Sequence, residues 1–245
     1  MTINVTVLGS AGSHTAPGQA CSGYLFTSGE TRMLVDCGNG SSANLQLFAP
    51  FEALDAILIT HRHADHCVDL VGMFYALRFH PDEPRGLRLY AAPEVATTIL
   101  SLLGEESREQ FEHVFDVVEV SGGDEVEVGP LRCTLFPSVH PVPTVSVRVA
   151  AGGQTVTYSS DSAGGDDLVE AARGADLYFG QGTTPAADGT DVLLVGQDDE
   201  FGVCHEVFDD ALAEVDELAG LVEEVDPDEA VVVHEHGSER VLVPF

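Results

Sequence analysis

The sequence predicts an α/β chain in which two β-sheets pack face to face and helices cover their outer sides. Three observations point there. Short strand-like runs recur along the chain, turn dipeptides separate several of them, and a few one-faced helical patterns lie between. Ile3–Leu8 alternates apolar with polar residues as a half-buried strand does, and Ser22–Thr27 and Arg32–Asp36 flank Ser28-Gly29 as a hairpin. Ala56–Thr60 is a continuous apolar run of the kind buried on both faces. Leu87–Tyr90 and Val114–Val120 follow, the second rich in Val. Glu125–Val128 and Leu131–Pro137 come after the turn Gly122-Gly123-Asp124; Thr144–Val149 and Thr155–Ser159 are separated by Gly152-Gly153. Asp176–Phe179 and Ala230–His234 complete the strands. Helical patterns cover Val68–Phe79, Glu94–Leu103, Asp166–Ala172 and Glu206–Val225; in the last, Phe208, Leu212, Val215, Leu218 and Val222 share one stripe opposite Asp and Glu.

No repeat, linker or composition break divides the 245 residues, so one domain over 1–245 is expected. The charge balance narrows the partners. Ten basic residues, all Arg, face 41 acidic ones, a net charge of −31, and no basic residue lies between Arg173 and Arg240. Such a surface repels long nucleic acids and anionic membranes, whose affinity for proteins comes largely from cations. The five cysteines, at 21, 37, 67, 133 and 204, are odd in number, widely spaced and without a C-x-x-C pair. They indicate neither a disulfide framework nor a thiolate zinc site. With no run of 18 apolar residues and no basic leader before the first strand, the expected location is the cytoplasm.

The chemistry concentrates where one strand ends. Residues 56–66 read Ala-Ile-Leu-Ile-Thr-His61-Arg-His63-Ala-Asp65-His66, a buried strand running straight into three histidines and one aspartate. In an extended or turning segment His61 and His63 can point to one side, while Asp65 and His66 swing toward a second point as a helix begins. Imidazole nitrogen and carboxylate oxygen suit Zn²⁺, Mn²⁺ and Fe, and an all-N/O set leaves coordination positions open for water, the pattern of a catalytic site.

His61-x-His63-x-Asp65-His66 resembles the metal-binding signature of the metallo-β-lactamase superfamily. The opening Val7-Leu8-Gly9-Ser10-Ala11-Gly12-Ser13 and the stretch Leu34-Val35-Asp36-Cys37-Gly38-Asn39-Gly40 resemble its ribonuclease Z and phosphodiesterase branch. His66-Cys67-Val68-Asp69-Leu70 through Ala76-Leu77-Arg78-Phe79-His80-Pro81 resembles, more narrowly, a cyclic-nucleotide phosphodiesterase group. The resemblance covers residues 3–180 and implies an αββα sandwich of two mixed sheets flanked by helices, with metals at one sheet edge.

It also implies further ligands. His140, in Ser138-Val139-His140-Pro141 and 74 residues beyond His66, matches the third ligand of the first metal; Asp161 matches the bridging aspartate, with Ser160-Asp161-Ser162 where the family usually has Gly-Asp-Thr. His234 ends the last strand-like run and is favoured as the final ligand, with His236 as the alternative if the register differs. On this reading His61, His63 and His140 hold one divalent ion, and Asp65, His66 and His234 the other. Zinc is the first choice, with manganese or iron as alternatives, and Asp161 and a hydroxide lie between the two ions. His205, just before the long C-terminal helical pattern, is the candidate proton donor to the leaving group, and Asp65 joins it in the catalytic set. Arg78 and His80 are candidate contacts to the substrate phosphate.

The leading reading is therefore a dinuclear hydrolase that opens 3′,5′-cyclic nucleotides by attack of a metal-bridging hydroxide. Its partner would be a small phosphodiester, with no nucleic acid and no membrane, and self-association as a homodimer stays open. Two alternatives stand beside it: a tRNA 3′-end endonuclease with the same metal site, and a non-catalytic protein that binds a metabolite or partner on the same fold.

Overall fold

Apolar side chains that alternate along a strand must be buried on one face and those between them on the other, so a strand apolar at every position needs two cores. The computed structural model describes residues 2–81, 86–181, 192–196, 231–235 and 238–242, from residue 181 onward as backbone only. The first sheet begins with β1 (Asn4–Gly9), β2 (Gly23–Ser28), β3 (Thr31–Val35), β4 (Ala56–Ile59), β5 (Leu87–Ala91) and β6 (Phe115–Glu119). The second is made of β7 (Glu125–Val128), β8 (Leu131–Pro137), β9 (Val145–Ala151), β10 (Gln154–Tyr158), β11 (Leu177–Gln181) and β12 (Val192–Gly196). The chain then returns to the first sheet with β13 (Val231–Glu235) and β14 (Ser238–Leu242).

The eight-stranded sheet runs β14-β13-β1-β2-β3-β4-β5-β6 and the six-stranded sheet β12-β11-β10-β9-β8-β7. Both are mixed. β3, β4, β5 and β6 are parallel neighbours and β1 pairs with β13 in parallel, while β1, β2 and β3 form antiparallel pairs. In the second sheet only β10 and β11 are parallel.

β4 shows why the sequence demands two cores. Ala56 and Leu58 face the second sheet, in a cluster with Tyr24, Phe26, Met33, Val35, Leu135, Val147 and Tyr158. Ile57 and Ile59 face the outer helices, in a cluster with Leu34, Leu70, Phe74 and Ile99. The helices on that side are α1 (Ser41–Leu45), α2 (Ala64–Cys67), α3 (Leu70–Arg78), α4 (Val95–Leu103) and α5 (Arg108–Val114). α3 buries Leu70, Met73, Phe74 and Leu77, an i, i+3, i+4, i+7 stripe. On the far face α6 (Asp166–Ala172) lays Leu168 and Ala172 against Tyr178 of β11. The layers are α, β, β, α.

Several local expectations shift. The helical pattern over 68–79 is broken in the structure, because the 36–38 loop takes two backbone hydrogen bonds from it: Cys37 N–H donates to the His66 carbonyl (2.7 Å) and Asp69 N–H to the Cys37 carbonyl (3.0 Å). Helical structure therefore begins earlier, at Ala64, and resumes at Leu70. α1 and α5 have no counterpart in the sequence reading; nor do β12 and β14. The amphipathic pattern at 206–225 lies outside the described residues, as do His205 and His236.

Candidate metal centre

The C-terminal ends of β1, β3, β4 and β13 reach the same edge of the first sheet, since these strands run in one direction. β8 and β10 deliver the second sheet's contribution: His140 follows β8 and Asp161 follows β10. The two edges are stitched by Val145 N–H donating to the Thr60 carbonyl (3.1 Å).

Ligand atoms from His61, His63, His140 and Asp161 lie within 4.8 Å of one another. His63 Nδ1 is 3.1 Å from His61 Nε2 and 3.0 Å from His140 Nε2. Tetrahedral zinc with bonds of about 2.0–2.1 Å separates its nitrogens by roughly 3.3 Å, close to this spacing. Three converging ring nitrogens cannot all present lone pairs to one another without a proton or cation among them, so the donor set itself suits a metal.

Asp161 faces both halves of the site. Its Oδ2 is 3.6 Å from His61 Nε2 and 3.5 Å from His140 Nε2, while its Oδ1 is 3.2 Å from His66 Nε2. His66 Nε2 is also 3.7 Å from Asp65 Oδ2. Both His66 Nε2 and Asp161 Oδ1 are buried without a well-directed hydrogen bond. An orphaned buried nitrogen and an orphaned carboxylate oxygen aimed at one point fit a second cation there. Of the remaining candidate, the backbone places His234 in β13, in register with Thr6 of β1 and near the strand end at the site edge.

Electrostatics separates the histidines. Burial holds His61 neutral, with the neighbouring His66 adding to the effect, so that it titrates at about 2 despite Asp161. Burial also lowers His140. For His66 burial works in the same direction, but the Asp36 and Asp161 carboxylates outweigh it and raise the group to about 10. Burial opposes ionisation of Asp161, and the nearby His66 with the surrounding imidazoles reverses this, bringing it to about 2.

Asp36 is the site residue whose role the sequence reading did not assign. Fully buried, it accepts from His66 Nδ1 (2.7 Å), the Thr60 backbone N–H (2.8 Å), the Thr60 hydroxyl (2.9 Å) and the Tyr158 hydroxyl (2.9 Å). It thereby fixes the ring of His66, a candidate ligand, from behind, as carboxylates commonly do at metal sites. Gly38 lets the 36–38 loop approach this closely, because a Cβ there would collide with the Asp65 carbonyl. Gly180 likewise leaves room for Ser159 Oγ.

The structure does not bring Arg78 or His80 into this cluster. Arg78 ends α3, about 12 Å along the axis from Leu70 at 1.5 Å per residue. Its guanidinium lies over the rings of Phe74 and Phe79, at 5.7 and 5.3 Å from their centroids. His80 Nε2 meets Glu52 Oε1 at 2.5 Å.

Residues 31–235 match the family model of the β-lactamase superfamily domain. The chain belongs to the metallo-β-lactamase superfamily. At 34% identity over 184 residues it is similar to an uncharacterized Mycobacterium leprae protein; the match covers 73% of this chain but only 64% of that relative, so the chain spans a little less than two thirds of its length. The probable metallo-hydrolase YhfI of Bacillus subtilis is 30% identical over 185 residues, covering 73% and 72% of the two chains, and its crystal structure superposes with a TM-score of 0.64 over 73% of this chain and 71% of its own. A ribonuclease Z of Methanopyrus kandleri is 31% identical over 143 residues, 58% of this chain and 48% of that protein. The structure has the expected αββα sandwich of the superfamily, and the similarity to a probable metallo-hydrolase accords with the His/Asp cluster. Among the described residues no helix is long and apolar enough to cross a membrane.

Proposed function

We propose that this metallo-hydrolase is a dinuclear phosphodiesterase that opens 3′,5′-cyclic nucleotides to 5′-monophosphates. The observation that carries the proposal is Asp161, with one carboxylate oxygen turned to the His61/His140 half and the other to His66. His61, His63 and His140 would hold one divalent ion and Asp65, His66 and His234 the other, zinc being the first choice for this N/O donor set. Bound there, two ions would supply Lewis acidity and an activated water suited to in-line displacement at phosphorus.

The chain's own groups are prepared for this. Asp161 is ionised and His61 and His140 neutral at working pH, so each presents a lone pair without first losing a proton. Asp36 holds the His66 ring in place. The leaving 3′-oxygen needs a proton, and His205 remains the proposed donor. The partners observed for Arg78 and His80 favour packing at the end of α3 over contact with the phosphate. A net charge of −31 favours a small substrate carrying one negative charge over RNA. The similarity to a ribonuclease Z keeps tRNA 3′-end cleavage as the second reading.

Purified protein loaded with Zn²⁺ or Mn²⁺ should be assayed against 3′,5′-cyclic nucleotides, a 3′-extended precursor tRNA and bis-p-nitrophenyl phosphate. Turnover of cyclic nucleotides to 5′-monophosphates supports the proposal. Efficient tRNA cleavage without it selects the endonuclease, and tight metal binding with no turnover of any substrate selects a binding protein.

A further inference from the structure

The helices divide sharply by charge. Residues 41–50, 70–77 and 95–103, which hold most of α1, α3 and α4, contain no Asp, Glu, Lys or Arg in a chain where 21% of residues are charged. The contrast is local: α5 turns Arg108, Glu109 and Glu112 to solvent, and α6 turns Asp166, Asp167 and Glu170. α3 packs against both α1 and α4, so the three make one neutral face over the first sheet. Of the six large apolar side chains exposed among the described residues, five belong to these helices or the turns that end them: Leu47, Phe48, Tyr75, Phe79 and Leu102.

The centre of this face is shaped as well as uncharged. Tyr75 and Phe79, one turn apart, stack with ring centroids 6.2 Å apart and planes 8° from parallel, a ridge on the solvent side of α3. Beside it Gly72 and Ala76 leave a shallow groove, and a Cβ on Gly72 would meet nothing within 4 Å. Among the described residues nothing requires a glycine there, although glycine in a helix interior is less stable than alanine.

We infer that this face is a two-fold contact between two copies of the chain, with the Tyr75/Phe79 ridge of each α3 seated along Gly72 and Ala76 of the other. A ridge and a groove side by side on one helix are self-complementary, as a two-fold interface requires. A basic partner would be drawn to the acidic shell, whereas another chain of charge −31 can approach closely only where neither presents an acidic side chain. Exposed from 38% (Phe48) to 76% (Leu47), the five apolar side chains offer on the order of 500–600 Å² per copy and about 1,000–1,200 Å² across a pair, where specific interfaces begin. The rival occupant is the chain's own amphipathic pattern at 206–225. The strands on either side of it, β12 and β13, stand at the end of the sandwich opposite β6 and β7, whereas α3 and α4 are the crossovers joining β4, β5 and β6. The inference is independent of the proposed chemistry.

Sedimentation equilibrium of the full chain tests it. Wild type should form a dimer that tightens as KCl rises toward about 1 M, where the Debye length is about 3 Å and repulsion between the two acidic shells is screened. Ala76→Glu places another good helix former at an exposed position, so Tm of the dilute protein should hardly change. Dimerisation should weaken about a hundredfold or more, because the two-fold axis brings two new like charges into the contact. Gly72→Ala should leave the dilute protein at least as stable and weaken dimerisation about tenfold by filling the groove. Wild type that stays monomeric at about 100 μM in high salt overturns the inference, and so does a dimer indifferent to Ala76→Glu. With a monomer, a sharp Tm loss in Ala76→Glu would give the face to the chain's own residues, and capture by phosphatidylcholine vesicles would give it to a membrane.

Discussion

Asp36 Oδ2 lies 2.7 Å from His66 Nδ1 with both side chains completely buried, so the candidate metal centre is backed by an ion pair shielded from water. Asp36 has φ +58°, a conformation that Asn tolerates as well as Asp, so Asp36→Asn removes the charge with little backbone cost. Removing one partner from a buried pair costs about 3 kcal/mol or more, which for a chain of this size lowers Tm by roughly 6–12 °C. The pH dependence has a definite sign. His66 is raised from its ordinary 6.5 to about 10, so the pair's contribution is complete below 6.5 and is lost as pH rises through 10. Unfolding of metal-stripped wild type and Asp36→Asn at pH 6, 8 and 10 should show a gap that narrows with rising pH; a gap that widens would contradict the pairing.

The same group governs metal binding. At pH 8 the metal-free His66 is protonated, while His61 is neutral and Asp161 ionised. A second-site ion can use His66 Nε2 only by displacing that proton. Binding should therefore release about one proton at pH 8, and affinity should rise nearly tenfold per pH unit from 7 toward 10. Titration calorimetry in buffers of different ionisation enthalpy measures the proton directly. No buffer dependence would mean that His66 stays out of the coordination shell.

In the proposed dinuclear centre Asp161 is the point at which the two half-sites meet, so its loss should be felt in both. Wild type should bind about two divalent ions per chain, and Asp161→Ala should lower occupancy of each site. His234→Ala should deplete the second site far more than His236→Ala. Elemental analysis after gel filtration separates these outcomes, and the reverse order for the two histidines would reassign the last ligand.

The parts of this architecture that were legible in the sequence are those set by local pattern. Glu125–Val128, Leu131–Pro137 and Asp166–Ala172 form as their alternation or stripe predicts, and the histidines at 61, 63 and 66 announce themselves by spacing. What was hidden depends on partners far away in the chain. α1 has no apolar stripe of its own; its first turn is satisfied by Asp69, which accepts from the Gly40 and Ser42 backbone N–H groups. Asp36 looked like one residue of a loop motif, because the groups that define its role, Thr60, His66 and Tyr158, are 24, 30 and 122 residues distant. Arg78 was legible only as a cation near the metal motif; its stacking over Phe74 and Phe79 at the end of α3 depends on the packing of the helix.

Substrate size follows from the charge of the surface and can be separated from the chemistry by salt. Two metals can neutralise the single charge of a cyclic nucleotide locally, whereas a tRNA must lay many phosphates along a chain with 41 acidic residues and no Lys. Added salt screens that repulsion, since the Debye length falls from about 30 Å at 0.01 M to about 3 Å at 1 M. For a basic nuclease salt weakens RNA binding by competing with its cations. Here the sign reverses. kcat/KM for a 3′,5′-cyclic nucleotide should exceed that for precursor tRNA at moderate salt, should change little with KCl, and any tRNA cleavage should become faster as KCl is raised from 10 mM. Steady-state rates on both substrates across a KCl series decide the matter. Strong tRNA cleavage at low salt that falls as KCl is added would mean that a cationic path exists despite the composition, and would move the assignment to the endonuclease.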